Sequence, residues 1–159
     1  MIASRFTVAV HILTLLASFR DEQLTSEWMA ASIGVNPVVV RTIMSQLRKA
    51  RLVKTQRGIA GAELIRPLEK ISLLDIYAAV DLKGDLFSLH AHPSLKCSVG
   101  ANIHASLGRY LDRAEKALEQ ALAGSTLADV TKEVQRRNTR KRQRKHTCLT
   151  DVSIRSTLQ

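Results

Sequence analysis

Between Phe6 and Val134 the spacing of apolar residues changes several times, and each change marks an element. Phe6, Val8, Ala9, Ile12, Leu13, Leu16 and Ala17 recur at helical period, predicting a well-buried first helix from a Ser4 cap to Phe19. Arg20 to Gln23 is polar and reads as a loop. Thr25, Trp28, Met29 and Ile33 then predict a short second helix stopped at Gly34. A tight turn, Gly34-Val35-Asn36, leads into a third helix. Asn36 can accept a hydrogen bond from the free N–H groups of its first turn. Pro37 has its φ preset and lacks an N–H that would be orphaned there. Val39, Ile43, Leu47 and Ala50 form the inward stripe, with Val38, Arg41, Thr42, Ser45 and Arg48 on the opposite side.

Beyond Ala50 the period shortens. Leu52 to Arg57 alternates, Gly58-Ile59-Ala60-Gly61 supplies a turn, and Ala62 to Ile65 resumes an extended pattern before Pro67, which together predict a β-hairpin. Ser72 followed three residues later by Asp75 is an acidic variant of the capping box and opens a packing helix ending at Val80. Asp81 to Lys96 has little periodicity and reads as a connecting loop. From Ser98 to Ala123, Ile103, Leu107, Tyr110, Leu111, Ala114, Ala117, Leu118, Ala121 and Leu122 follow three-and-four spacing, which predicts a helix of roughly 25 residues. Ser125 to Val134 is a last capped helix with Leu127, Val130 and Val134 as its apolar side.

Two short helices joined by a tight turn, the second presenting cations outward, followed at once by a hairpin, make a winged helix-turn-helix. The expected fold is therefore mainly α: a winged helix-turn-helix DNA-binding domain over 1–83 with a two-stranded β-wing, a connecting and sensing loop over 84–97, a helical dimerisation element over 98–135, and a basic, mobile tail over 136–159. The long helix is too long to be covered by so small a domain. A second copy of the chain is the expected cover, through Ile103, Leu107, Tyr110, Leu111, Ala114 and Leu118.

Charge sharpens the picture. Lys plus Arg outnumber Asp plus Glu by 24 to 14, and eight of the cations lie from Arg136 onward against the single acid Asp151, leaving the body about +3 of the total +10. No apolar run approaches the ~20 residues of a membrane span, and the chain start lacks a signal-peptide pattern, so a cytoplasmic protein without membrane partners is expected. Cys97 and Cys148 are too few and too far apart for a disulfide framework.

The candidate chemistry is recognition. Arg41 and Arg48 supply cations, Thr42 and Ser45 a hydroxyl pair and Val38 a methyl-bearing side chain, the groups that read phosphates and base edges. Asn36 completes this face, while Lys54, Arg57 and Gly58 on the wing can approach a phosphate or a minor groove. A two-fold dimer would set two such helices one DNA turn apart, so the expected partner is a palindromic double-stranded operator. No Gly-rich phosphate loop, HExxH pair or nucleophile elbow occurs, so no enzymatic activity is expected.

Four strings, Ser4-Arg5-Phe6-Thr7, Leu47-Arg48-Lys49-Ala50-Arg51-Leu52-Val53, Arg57-Gly58-Ile59-Ala60-Gly61-Ala62 and Ile71-Ser72-Leu73-Leu74-Asp75-Ile76, resemble the Rrf-two family of bacterial winged-helix regulators over about Arg5 to Val134. The resemblance implies a homodimer joined through the long helix that binds operator DNA and mostly represses. Iron–sulfur members carry three cysteines about five residues apart before the dimer helix, whereas this loop supplies Cys97 alone, so no cluster is expected and no other cofactor is implied. Cys97-Ser98-Val99-Gly100 resembles the cluster-free branch instead. Related sequences tend to carry glycine where this chain has Arg51, so a left-handed turn there would cost some stability.

Three sensing or binding readings stay open at this point. Cys97, at the start of the long helix, can act as a redox switch, alone or with Cys148. His90, His92, Cys97 and His104 can hold a divalent metal, although their spacing matches no strong motif. A non-specific basic nucleic-acid binder, driven by Arg136 to Lys145, is the alternative to regulation.

Overall fold

Helix α1 (Ile2–Ser18) runs through the middle of the domain and buries Val8, Ala9, Ile12, Leu13, Leu15 and Leu16. In the computed structural model, residues 2–55, 61–80 and 89–140 are described. Helix α1 starts before Ser4, so Ser4 lies within its first turn and is not the cap expected from the sequence. Thr14 is buried in the same face because its hydroxyl donates to the Val10 carbonyl at 2.8 Å and so carries no unmet polar cost.

Helix α2 (Ser26–Ile33) starts and stops where its end signals lie. The Thr25 side chain accepts the Trp28 N–H, and Gly34 takes φ 77 to end the helix. Helix α3 (Pro37–Lys49) begins with Asn36 accepting the Val38 N–H at 2.8 Å. Its buried stripe is Val40, Ile43, Gln46 and Leu47, whereas Val39 is 39% exposed and Ala50 lies on the surface. The inward stripe expected from the sequence is thus corrected at both ends. Val40, Ile43 and Leu47 fall three and four apart and fill the gap against α1 and α4 (Leu73–Val80). Each such side chain contributes about 1.5–3 kcal/mol by leaving water.

The wing is a short antiparallel pair, β1 (Val53–Lys54) with β2 (Glu63–Leu64), in which Val53 faces Leu64 and Lys54 faces Glu63. Val53 is buried and Lys54 exposed, so one side of the ribbon closes the domain while the other is open to solvent. Helix α4 follows a short 3-10 turn and opens on a reciprocal capping box: Ser72 N–H donates to Asp75 at 3.0 Å, and Asp75 N–H to the Ser72 hydroxyl at 3.0 Å.

Helix α5 (Ser98–Ala123) is 26 residues long, and none of its residues is fully buried among the described residues. Helix α6 follows over 127–140 and opens on a second capping box, with Thr126 N–H donating to Asp129 at 2.8 Å. It runs five residues into the basic stretch read from the sequence as tail. Leu127, Ala128 and Thr131 form its buried side, while Val134 is 39% exposed.

The starts of α4 and α6 are bonded to each other. Leu73 N–H donates to the Ser125 carbonyl and Leu127 N–H to the Ile71 carbonyl, both at 2.8 Å. Ile71 and Leu127 are fully buried at this joint, which fixes the far end of the long helix to the core of the winged domain.

Candidate nucleic-acid interface

Helix α3 presents Asn36, Val38, Arg41, Thr42 and Arg48 on the surface, with Ser45 half-buried among them. Val38, Arg41, Thr42, Ser45 and Arg48 lie on the side of α3 away from its buried stripe, while Asn36, expected with them, is the N-cap whose side chain accepts the Val38 N–H. Val38 is 60% exposed, so its methyl groups stand on the same surface as these polar side chains. The Thr42 hydroxyl donates to the Val38 carbonyl at 2.9 Å, which leaves its oxygen free to accept.

A groove of about 400 Å³ separates α2, α3 and the wing. Thr25, Glu27, Arg41, Ser45, Arg48 and Thr55 line it, so the two arginines of α3 share one depression with the start of α2. Arg41 is tied there to Glu27, its guanidinium donating to the carboxylate across 14 residues of sequence. The Glu27 carboxyl is held below the ordinary carboxylate range first by a hydrogen bond from its own backbone N–H and then by Arg41. Sequence periodicity gave no hint of this pair, because the two residues lie on different helices.

On the wing, Lys54 lies 2.8 Å from Glu63 across the ribbon, so its charge is shared with a neighbour rather than standing alone. Arg57 and Gly58, expected at the wing tip, lie outside the described residues. The basic run begins inside α6. Arg136 and Arg137 both donate to Glu133, at 2.7 and 2.6 Å, which lowers the Glu133 carboxyl to about 2.

Cys97 caps α5 and is exposed. Its sulfur makes no cap bond of standard geometry, yet it faces the N–H groups of Gly100 and then Val99, which hold the thiol below its usual range. Gly100 is required by the packing: a Cβ there would stand 2.4 Å from the Ser94 carbonyl, which also accepts the Cys97 N–H at 3.2 Å. Cys148 lies outside the described residues.

The metal set expected as an alternative does not assemble. His90 packs edge-on against His104, ring centres 4.7 Å apart, and among the described residues no three His, Cys, Asp or Glu side chains gather as a metal ion requires. His92 and Cys97 are exposed and join no such group. The same donor set does not fit an iron–sulfur cluster, since Cys97 is the one thiol among the described residues.

On α5, Leu107 and Tyr110 are exposed at 39% and 52%, Ala114 is exposed, and Ile103, Leu111 and Leu118 are half-buried. All six positions expected to join two chains therefore remain partly or wholly open in the single chain. Arg109 and Arg113 flank the Tyr110 ring, 5.1 and 5.7 Å from its centre.

Fold and face together define a winged helix-turn-helix DNA-binding protein. The chain belongs to the Rrf2 family: residues 2–133 match the model of that family, described as an iron-dependent transcriptional regulator. It is 42% identical over 130 residues to YwnA of Bacillus subtilis strain 168, assigned as an HTH-type transcriptional regulator, covering 82% of this chain and 96% of that one. A solved structure assigned as a DNA-binding protein is 37% identical, with a TM-score of 0.67 over 79% of this chain and 97% of the other. A transcriptional-regulator assignment from Lactobacillus plantarum, 24% identical, shares the fold with a TM-score of 0.72 over 90% of this chain and 97% of that one. The protein is thus a DNA-binding transcriptional regulator and not an enzyme. Among the described residues no helix is long and apolar enough to cross a membrane.

Proposed function

We propose that the protein is a homodimeric repressor that reads a palindromic operator with the exposed face of α3. The observation that carries this reading is α5. Its 26 residues hold an apolar stripe that includes Leu107 and Tyr110, and the single chain leaves that stripe open. Leucine and tyrosine side chains in such a row are stabilised when a like helix covers them, and two-fold pairing is the commonest way for a chain to do so. In the dimer, Asn36, Val38, Arg41, Thr42, Ser45 and Arg48 of each copy enter a major groove, while Lys54, Arg57 and Gly58 of the wing meet the flanking backbone.

Cys97 is the sensing group in this reading. A thiol with lowered pKa and free access reacts readily with peroxides or diamide, and either a sulfenic acid or a disulfide to the partner subunit's Cys148 would disturb the first turn of α5. The joint between α4 and α6 then passes the disturbance to α3. The test is operator release under diamide, followed by DNA mobility. Wild type releases its operator and Cys97→Ser retains it; equal release by both contradicts the sensing role.

A further inference from the structure

We propose that Glu27, at the start of α2, is a specificity-determining residue that positions Arg41 to read a guanine in each operator half-site. The inference rests on the reading of α3 as the DNA-facing helix. An acidic side chain beside a phosphate backbone is repelled, so a carboxylate lining the same groove as Arg41 and Arg48 needs a compensating use. The geometry supplies one. Glu27 Oε1 accepts from Arg41 Nη2, which carries two N–H groups, so the second of them still forms a parallel two-donor edge with an N–H of Nη1 or of Nε on the same planar guanidinium.

Both side chains are more than half exposed, 56% for Arg41 and 61% for Glu27, so the pair adds little to folding. Its effect is on orientation. A free arginine can turn to any nearby phosphate and so bind every sequence alike; one held by a carboxylate has lost that freedom and offers its remaining donors in a fixed direction. Guanine O6 and N7 accept a guanidinium two bonds at a time, which is the commonest base-specific contact in a major groove. The carboxylate also penalises placing Arg41 against phosphate alone, which weakens binding to wrong sites more than to the right one.

The experiment measures affinity of the full chain for its selected operator and for every single-base-pair variant of one half-site, across salt concentrations. Wild type is compared with Arg41→Ala, Glu27→Ala, Glu27→Gln and the Glu27→Ala/Arg41→Ala double variant, with thermal unfolding as the check on folding. Expected for Glu27→Ala is a loss of discrimination on the order of tenfold at the one G·C pair that Arg41→Ala also affects. Binding to unrelated DNA strengthens in that variant, and the salt slope steepens by about one, because the released guanidinium now neutralises a phosphate. Glu27→Gln keeps part of the preference, and in the Arg41→Ala background removing Glu27 changes nothing further. A uniform change across all sequences, or one that persists without Arg41, overturns the positioning role while leaving the α3 reading intact. If Arg41→Ala leaves every base preference unchanged, both fail.

Discussion

Leu52 donates its backbone N–H to the carbonyl of Leu47 at 3.0 Å, closing the end of α3 with both side chains fully buried. The residue between them that makes the turn possible is Arg51, at φ 56, with its own N–H on the Arg48 carbonyl at 3.0 Å. This is a Schellman ending with arginine where glycine would be unstrained. Arg51→Gly should therefore raise stability by about 1 kcal/mol, and Arg51→Ala should not. Denaturant midpoints of the two variants check this.

The paired capping boxes at the α4–α6 joint give a second expectation. Ser72→Ala removes the acceptor of the Asp75 N–H and should cost about 1 kcal/mol. Because Ile71 and Leu127 are bonded across the joint, hydrogen exchange should quicken at Leu73 and Leu127 together, not at Leu73 alone.

Gly100 and Ser94 set the environment of Cys97. Gly100→Ala must push the Ser94 carbonyl away, carrying Cys97 off the N–H groups that lower its pKa. The thiol should then titrate closer to the ordinary range, and its alkylation rate at neutral pH should fall. An unchanged rate profile against pH would show that those N–H groups do not govern the thiol.

Glu133 supplies a pH expectation. Its folded pKa of about 2 lies below the ordinary 4.5, so its bonds to Arg136 and Arg137 contribute above about pH 4.5 and are lost as pH falls through about 2. These groups are exposed and screened, so global stability should move little while the end of α6 frays. Carbon-13 titration of the Glu133 carboxyl, read beside helicity over 127–140, tests both parts.

Most element boundaries could be read from residues because their signals are local: Thr25 and Gly34 around α2, Asn36-Pro37 before α3, Ser72 with Asp75, and Thr126 with Asp129 all bond within a few positions. The phase of α3 could not. Val38, Val39 and Val40 are consecutive and alike, so nothing local selects which of them faces inward, and the choice of Val40 is made by α1 and α4. Gln46 is similar. It is buried with no hydrogen-bond partner for its amide among the described residues, a placement imposed by its neighbours on the core side. The extension of α6 to 140 was signalled by Glu133 lying three and four residues before Arg136 and Arg137, a pattern that reads equally as a charge run until the helix is seen. The Glu27–Arg41 pair depends on two helices meeting, which no spacing within either one encodes.

The basic segment offers a discriminating case for DNA binding. A chain ended after Arg140 should lose affinity by a similar factor for every sequence and show a shallower salt slope, while keeping its operator preference. Loss of all preference on that truncation would favour a charge-driven, non-specific binder.

The most direct measurement of the proposed architecture is the sedimentation mass of the protein bound to a selected operator duplex, with wild type beside Leu107→Arg. Two 17.6 kDa chains per duplex are expected for wild type; the variant is expected to be a single chain in solution, with operator affinity lowered roughly tenfold or more. One wild-type chain per duplex, or full operator affinity in a single-chain Leu107→Arg, would contradict a dimer joined through α5.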